Sequence, residues 1–160
     1  MKPTRRPRAL DFGKLPGYIG YRVRLAQAAI FRDLARSPSD AGMTPGEFSL
    51  VTVLGANPGI DSVTLARVYR LDKATLSLTL KRLTQRGLIW SERRSEDRRY
   101  VALQLTPAGR GALRRATRRI QKQERIMDSV LEAGEKERLL ELLGRISRAL
   151  DPDSPAPSDG

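Results

Sequence analysis

Residues 71–109 constrain this chain more than any other stretch, because their pattern changes from a helical period to a strand period within a few residues. The segment LDKATLSLTLKRLTQRGLI has apolar side chains at helical spacing, with Asp72 suited to cap the helix start and Gly87 suited to its end. The segment IWSERRSEDRRYVALQLTPAG alternates apolar and polar side chains on both sides of a turn at residues 95–97. The sequence therefore predicts a helix ending at Gly87, followed by a hairpin with strands at 88–92 and 99–105.

The predicted helix has two chemically different faces. On a helical wheel Leu76, Leu80 and Leu83 fall in a narrow arc, which we expect to face the core. The opposite arc and its N-terminal edge hold small, hydroxylated and basic side chains: Lys73, Ala74, Thr75, Ser77, Leu78, Lys81, Arg82 and Gln85. Such a face suits a helix whose N-terminal half lies in the major groove of DNA, while a solvated charged face is the alternative for the helix alone. On this arc Leu78 either contacts a thymine methyl group or packs against the hairpin.

The turn of the hairpin is dense in charge, with four arginines and two acids: Arg93, Arg94, Glu96, Asp97, Arg98 and Arg99. A narrow minor groove concentrates negative potential and attracts arginine, whereas a merely solvated hairpin tip does not require this density. Asp97 is predicted to fix a neighbouring guanidinium by a charge-assisted hydrogen bond. Together the two elements predict a winged helix-turn-helix, with the helix in the major groove and the hairpin as a wing in the minor groove.

The remaining segments predict a mainly α-helical chain with this one small hairpin, in the order α-α-α-α-β-β-α-α. Further helices are expected at about 15–35, from a Thr44 capping box to before Asn57, after a cap at Asp61 and Ser62, at about 107–131, and at about 135–150. Residues 1–13 are predicted to form a basic flexible arm, and residues 151–160 a disordered tail. Between them, residues 14–150 are expected to form a single domain.

The charge of the chain points to a polyanionic partner. Its 160 residues contain 30 Lys and Arg against 18 Asp and Glu, a net charge of +12. Residues 1–36 carry nine basic and two acidic groups, and residues 62–110 carry 11 and four, whereas residues 111–160 are nearly balanced at ten and nine. The excess therefore lies in the N-terminal part and over the predicted DNA-reading elements.

The composition also excludes several functions. The chain has no cysteine and no histidine, so disulfides, thiol nucleophiles, Cys/His zinc sites and histidine-based catalysis are absent. We find no nucleophile–base pair, metal-ligand set or phosphate loop, and expect no enzyme, cofactor or metal. No apolar run reaches the ~18–20 residues that span a bilayer, and the basic N-terminus lacks the apolar stretch of a signal peptide. No membrane partner is expected, and the cytoplasm is the expected compartment.

The residues that carry the predicted wing resemble a known family. Asp97-Arg98-Arg99, five further residues, Leu105-Thr106 and then Gly109 are similar to the DxR-x5-LT wing signature of MarR-family transcriptional regulators. The helix at 71–89 and the pair Leu65-Ala66 also resemble that family, and the similarity extends over about 15–150. The resemblance implies an obligate homodimer that binds pseudo-palindromic operators, usually as a repressor, and that a small ligand or oxidant releases. It also implies that Arg99 enters the minor groove and that Asp97 supports it.

The resemblance further implies dimerisation through the first and last helices, here residues 14–36 and 107–150, around a winged-helix part at 44–106. The chain has suitable apolar faces at 3/4 spacing, namely Leu139, Leu142, Leu143, Ile146 and Leu150, and Ile120, Met127, Val130 and Leu131. Ordinary packing within the chain is the alternative, but little chain remains after the long helix to cover it. Two-fold symmetry would place two DNA-reading helices about one DNA turn (~34 Å) apart.

The absence of cysteine and histidine separates this chain from the thiol-based oxidant sensors and the zinc sensors of that family, which leaves a small-molecule effector or none. The family's ligand cavity implies that Tyr18, Tyr21, Arg22 and Phe48 bind the effector. The opening Leu15-Pro16-Gly17-Tyr18 is similar to members that govern the catabolism of hydroxycinnamates and other aromatic acids, some of which respond to CoA thioesters. The alternative is that the two tyrosines pack in a dimer interface and that the arginines bind phosphate.

Two functions follow from these observations. The first is a sequence-specific, homodimeric DNA-binding repressor whose effector, such as an aromatic acid or its CoA thioester, changes the spacing of the two DNA-reading helices. The second is a non-specific architectural protein that binds DNA or RNA through the same basic surface. The basic arm at residues 1–8 fits either function as a phosphate contact.

Overall fold

The computed structural model describes residues 10–36, 42–69, 73–93 and 101–152. These residues fall into two compact units, Met1–Pro38 and Ser39–Gly160. The architecture is mainly helical with one small antiparallel sheet, as the sequence predicts.

The first unit holds a short 3-10 helix, Leu15–Gly17, and helix α1, Ile19–Arg36. The prediction of one continuous helix from Leu15 is wrong in this detail, because Tyr18 has an extended backbone between the two. Gly17 is a poor helix former, so the first turn does not continue into α1. No residue of α1 is buried.

The second unit begins with two capped helices, both as predicted. Helix α2, Pro45–Ala56, has a complete capping box: the Glu47 N–H donates to Thr44 Oγ1 (3.2 Å) and the Thr44 N–H donates to Glu47 Oε2 (3.0 Å). Helix α3, Ser62–Tyr69, is capped by Asp61, whose Oδ1 accepts hydrogen bonds from the N–H groups of Val63 (2.9 Å) and Thr64 (2.8 Å).

Helix α4 spans Lys73–Gln85 and is terminated at Gly87, the position that the sequence predicts for its end. The Gly87 N–H donates to Thr84 O (2.9 Å) and the Leu88 N–H donates to Leu83 O (3.0 Å), the two bonds of a Schellman motif. Gly87 has φ +66°, a conformation that a side chain would strain, so glycine at this position fixes where the helix stops.

The hairpin consists of β2, Ile89–Arg93, and β3, Val101–Leu105, paired antiparallel with Ile89 opposite Leu105. A third strand, β1, covers only Ile60–Asp61 and pairs with β3, so the sheet order is β1-β3-β2. The sequence analysis missed β1 because two residues carry no period. Leu103 and Leu105 are buried as expected, and Ala102 is buried as well.

Helix α5, Pro107–Asp128, and helix α6, Glu135–Leu150, complete the chain. We predicted α5 to extend to about residue 131, but Ser129 caps it earlier. The core of the second unit joins α2, α3, α4, the sheet and the start of α5 through fully buried side chains: Leu50, Val51, Leu54, Leu65, Leu83 and Ile89.

The start of α5 is tied to the end of α4 through Leu88. The Thr106 hydroxyl accepts a hydrogen bond from the Gly109 N–H (2.9 Å) and donates to the carbonyl oxygen of Gly87 (2.6 Å). The Thr106 N–H donates to Leu88 O (3.1 Å). An ideal Cβ built on Gly109 would overlap that same oxygen, so only glycine allows this close approach.

Candidate nucleic-acid interface

Helix α4 presents the two faces that its sequence predicts. Leu76 and Leu83 are buried at 3% and 0% exposure, and Leu80 packs half-buried against the same core. The predicted contact residues with described side chains are all exposed: Ala74, Thr75, Ser77, Leu78, Lys81 and Arg82. The apolar face therefore fixes the helix in the unit and leaves the small and basic face accessible.

The basic groups of this face are available for phosphates or bases. Lys81 and Arg82 are exposed and form no ion pair with any described residue. Thr75 and Arg82 share a cleft of about 300 Å³ with the N-terminal end of α2. Leu78 is 50% exposed, so both proposed roles, thymine contact and packing against the wing, stay predictions.

Arg86 holds the C-terminal end of α4 against α2. Its Nη1 donates to Glu47 Oε2 (3.2 Å) and its Nη2 donates to Gly42 O (3.0 Å). Glu47 is only 8% exposed and is the same carboxylate that closes the α2 capping box. One buried acid therefore fixes both the start of α2 and the tilt of α4. The sequence analysis missed this pair, whose partners are 39 residues apart.

The two strands of the predicted wing are present, but its tip lies outside the described residues, as does the Lys73 side chain. Arg94, Asp97, Arg98 and Arg99 therefore stay predictions. The C-terminal end of the wing signature has a structural role: Leu105 is buried, Thr106 caps α5, and Gly109 permits the approach to Leu88.

The predicted effector-binding residues are placed within their own units. In the first unit, Tyr18 is 56% exposed, Tyr21 is half-buried, and exposed Arg22 donates from Nε to Pro16 O (2.8 Å). Arg24, which we did not predict, lies over the Tyr21 ring at 5.2 Å. Phe48 is half-buried in the second unit. A pocket formed by all four residues stays a prediction.

Large apolar side chains are exposed on the helices predicted to dimerise. Helix α6 has no buried residue, and Leu139, Leu142 and Leu143 are 46%, 38% and 37% exposed. On α1, Ile19 and Val23 are 62% and 44% exposed. Each helix thus has large apolar side chains that are exposed. Among the described residues no helix is long and apolar enough to cross a membrane.

A polar, partly basic helix in front of a two-stranded hairpin, on a three-helix core, defines a winged-helix DNA-binding protein. Residues 43–101 match the MarR family. A Thauera aromatica protein, named as a proposed transcriptional regulatory protein for the hcr operon, is 32% identical over 148 residues, which are 92% of this chain and 89% of that protein. The chain belongs to the MarR family and is a transcriptional regulator of that family.

Solved structures agree with this assignment. The transcriptional repressor CouR bound to a 23-mer DNA duplex is 30% identical, with a TM-score of 0.81 over 88% of this chain and 100% of that chain. CouR bound to p-coumaroyl-CoA is 29% identical, with a TM-score of 0.78 over 87% of this chain and 98% of that chain. The family and these similar structures are regulators rather than enzymes.

Proposed function

We propose that this protein is a homodimeric repressor that binds a pseudo-palindromic operator and that a small-molecule effector releases. The single observation that carries the proposal is the division of α4 into a buried leucine face and an exposed face of Thr75, Ser77, Lys81 and Arg82. A helix held this rigidly can enter a major groove without losing its own packing.

The apolar faces of α1 and α6 support a dimer. Burying one leucine stabilises a structure by about 1.5–3 kcal/mol, and α6 alone exposes Leu139, Leu142 and Leu143 on one side. A two-fold axis would cover these side chains with their own copies and would pair two α4 helices at the spacing of operator half-sites. An inverted repeat is the DNA symmetry that such a dimer requires.

The proposed effector is an aromatic acid or its CoA thioester. This class is supported by the similarity to CouR, which has been solved with p-coumaroyl-CoA, and by the tyrosines and arginines of the first unit. Tyr18, Tyr21, Arg22 and Phe48 remain the proposed contacts of the aromatic group.

The proposal is tested by selecting bound sites from a random DNA duplex pool at physiological salt. We expect an enriched inverted repeat of roughly 16–20 base pairs, with an affinity that falls steeply as salt rises, because Lys and Arg contacts displace counterions. Equal binding to unrelated duplexes would contradict the proposal and favour the non-specific architectural protein.

A variant at the wing separates its contribution from that of α4. Arg99→Ala is expected to weaken operator binding several-fold to hundreds-fold while the dimer persists, because it removes the proposed minor-groove contact. Arg148→Ala, an exposed arginine on α6, is the matched loss of charge and should leave the affinity unchanged. Unchanged binding by Arg99→Ala would remove the wing from the mechanism.

A further inference from the structure

The second unit contains a cavity of about 350 Å³ between the C-terminal end of α2, strand β3 and the first turns of α5. This volume is within the range of small-molecule sites. Leu54, Leu105 and Leu113 give it apolar walls. At Gly55 an ideal Cβ would come within 3.0 Å of Leu113 Cδ2, so glycine keeps that side of the cavity open. The four predicted effector contacts do not line this cavity.

Two arginines, one helical turn apart, give the cavity a positive side. Arg110 Nη1 donates to Leu105 O (2.8 Å), which holds that guanidinium at the junction of β3 and α5. Arg114 is exposed and forms no hydrogen bond or ion pair with the described residues. Apolar walls beside two guanidinium groups without a described acidic partner suit a ligand with an apolar body and an anionic end.

Positive charge continues from the cavity along one face of α5. Arg110, Arg114, Arg118 and Arg125, here called the arginine row, lie within about 80° of arc on a helical wheel. The row faces away from the buried Ala112 and Ala116 and extends for about 22 Å at the helical rise. All four side chains are exposed, and none forms an ion pair with a described residue.

The length of the row decides between ligand classes. A single carboxylate would engage one or two of these guanidinium groups, whereas a phosphorylated arm can engage the whole row. A DNA backbone would match the charge of the row, but it has no apolar group to fill the adjoining cavity. The combination therefore fits an apolar group that carries an extended, multiply charged arm.

We propose that the cavity and the arginine row form one binding site for an aryl- or acyl-CoA thioester. The acyl group occupies the cavity, Arg110 and Arg114 bind at its mouth, and Arg118 and Arg125 bind phosphates of the CoA arm. This inference rests on the proposed function, because it assigns a site to the effector, and for the acyl group it replaces the contacts proposed above at Tyr18, Tyr21, Arg22 and Phe48.

The chain contains its own optical reporter for this site. Trp90 is the single tryptophan and lies directly opposite Gln104 in the β2–β3 ladder, and Gln104 lines the cavity. Paired residues of an antiparallel sheet place their side chains on the same face. Occupation of the cavity by benzoyl-CoA is therefore expected to change the fluorescence of Trp90, whereas CoA alone should change it less.

The full chain is titrated calorimetrically with four probes: benzoyl-CoA, p-coumaroyl-CoA, CoA and free p-coumarate. We expect at least one thioester to bind roughly tenfold or more tightly than either fragment, since only a thioester engages both parts of the site. Equal affinity for p-coumarate would overturn the role of the arginine row, and binding of neither thioester would overturn the site.

Three variants locate the binding. Arg114→Ala is expected to weaken thioester binding roughly tenfold or more through loss of a charge-assisted contact. Thr52→Phe keeps every charge but fills the cavity from an exposed position on α2, and should weaken the thioesters more than CoA. Arg115→Ala, an adjacent exposed arginine outside the cavity, is the matched control and should bind as the wild type does.

Operator binding without ligand is measured for the same variants. Wild-type operator affinity together with weakened thioester binding supports the site. Unchanged thioester binding in both Arg114→Ala and Thr52→Phe overturns the site and leaves the repressor proposal intact. Loss of operator affinity in Arg114→Ala would assign the arginine row to DNA instead. Failure of the wild type to select any operator would overturn the repressor proposal itself.

Discussion

Helices α4 and α6 are both amphipathic, yet among the described residues of the second unit α4 buries its apolar face and α6 does not. Leu76 and Leu83 of α4 are buried in the core of the second unit, whereas α6 leaves Leu139, Leu142 and Leu143 partly exposed. Leucines on one face of a helix thus have two different environments in this protein. The difference teaches that the leucines of α4 hold it within the second unit, while those of α6 are left for the proposed dimer interface.

The largest expected effect is on the packing of the second unit at Gly109. Gly109→Ala should lower the free energy of unfolding by roughly 4 kcal/mol, because the new Cβ overlaps the Leu88 carbonyl oxygen and backbone must move. Gly111→Ala on the same helix is the control, since its Cβ would approach the flexible side chains of Arg115 (3.5 Å) and Arg114 (3.9 Å) and no backbone, and should stabilise by about 0.5–1 kcal/mol. Urea unfolding of both variants measures the difference, and equal stabilities would contradict the packing argument.

The next effect tests the exposed apolar face of α6 as a dimer interface. Leu143→Glu places a charge on the apolar face of α6 and should weaken the proposed dimer by about 3 kcal/mol, more than a hundredfold in dissociation constant. Leu140→Glu lies off that face at 60% exposure and should leave the dimer intact. Sedimentation equilibrium of the two variants distinguishes them, and a Leu143→Glu dimer as tight as the wild type would place the interface elsewhere.

A smaller effect concerns the orientation of α4. Arg86→Ala leaves the nearly buried Glu47 without its cation and should cost about 2 kcal/mol of stability. Arg86→Lys keeps the charge but cannot contact Glu47 and Gly42 together, so we expect only partial recovery. The temperature of thermal unfolding and the affinity for the operator should both be lower in Arg86→Ala. A loss of stability without any loss of affinity would separate this ion pair from DNA binding.

The smallest effect depends on pH. Hydrogen bonds from the Thr64 backbone and hydroxyl, and from the Val63 backbone, lower the pKa of Asp61 below its usual value. A lowered pKa in the folded state means that the capping contribution is present above the unfolded-state pKa and is lost as the pH falls through the folded-state pKa. Asp61→Ala should therefore cost about 1 kcal/mol near neutral pH and almost nothing in strong acid.

The control for this cap is Asp61→Asn, which keeps an acceptor oxygen and should lose less stability, with no dependence on this titration. Free energies of unfolding at several pH values compare the three proteins. A cost of Asp61→Ala that stays constant down to strong acid would show that the carboxylate charge does not contribute to the cap.

The sequence correctly predicted three features in which a residue acts on its own neighbours. The Thr44 capping box, the Asp61 cap and the stop at Gly87 all depend on contacts within a few residues, and the structure confirms each. The Arg86–Glu47 pair and strand β1 were missed, because each depends on a partner about 40 residues away. The cavity was missed for the same reason, since its walls come from three separate elements.

The junction at Leu88 couples the end of α4 to the start of α5. The N–H of Leu88 donates to Leu83 O at the end of α4, and the carbonyl oxygen of Leu88 accepts from the Thr106 N–H at the start of α5. Gly109 packs against the same carbonyl oxygen, with no room for a side chain. Because these contacts couple the two helix ends, we expect a tilt of α5 to reorient α4. Such a tilt would change the angle at which α4 meets the proposed operator.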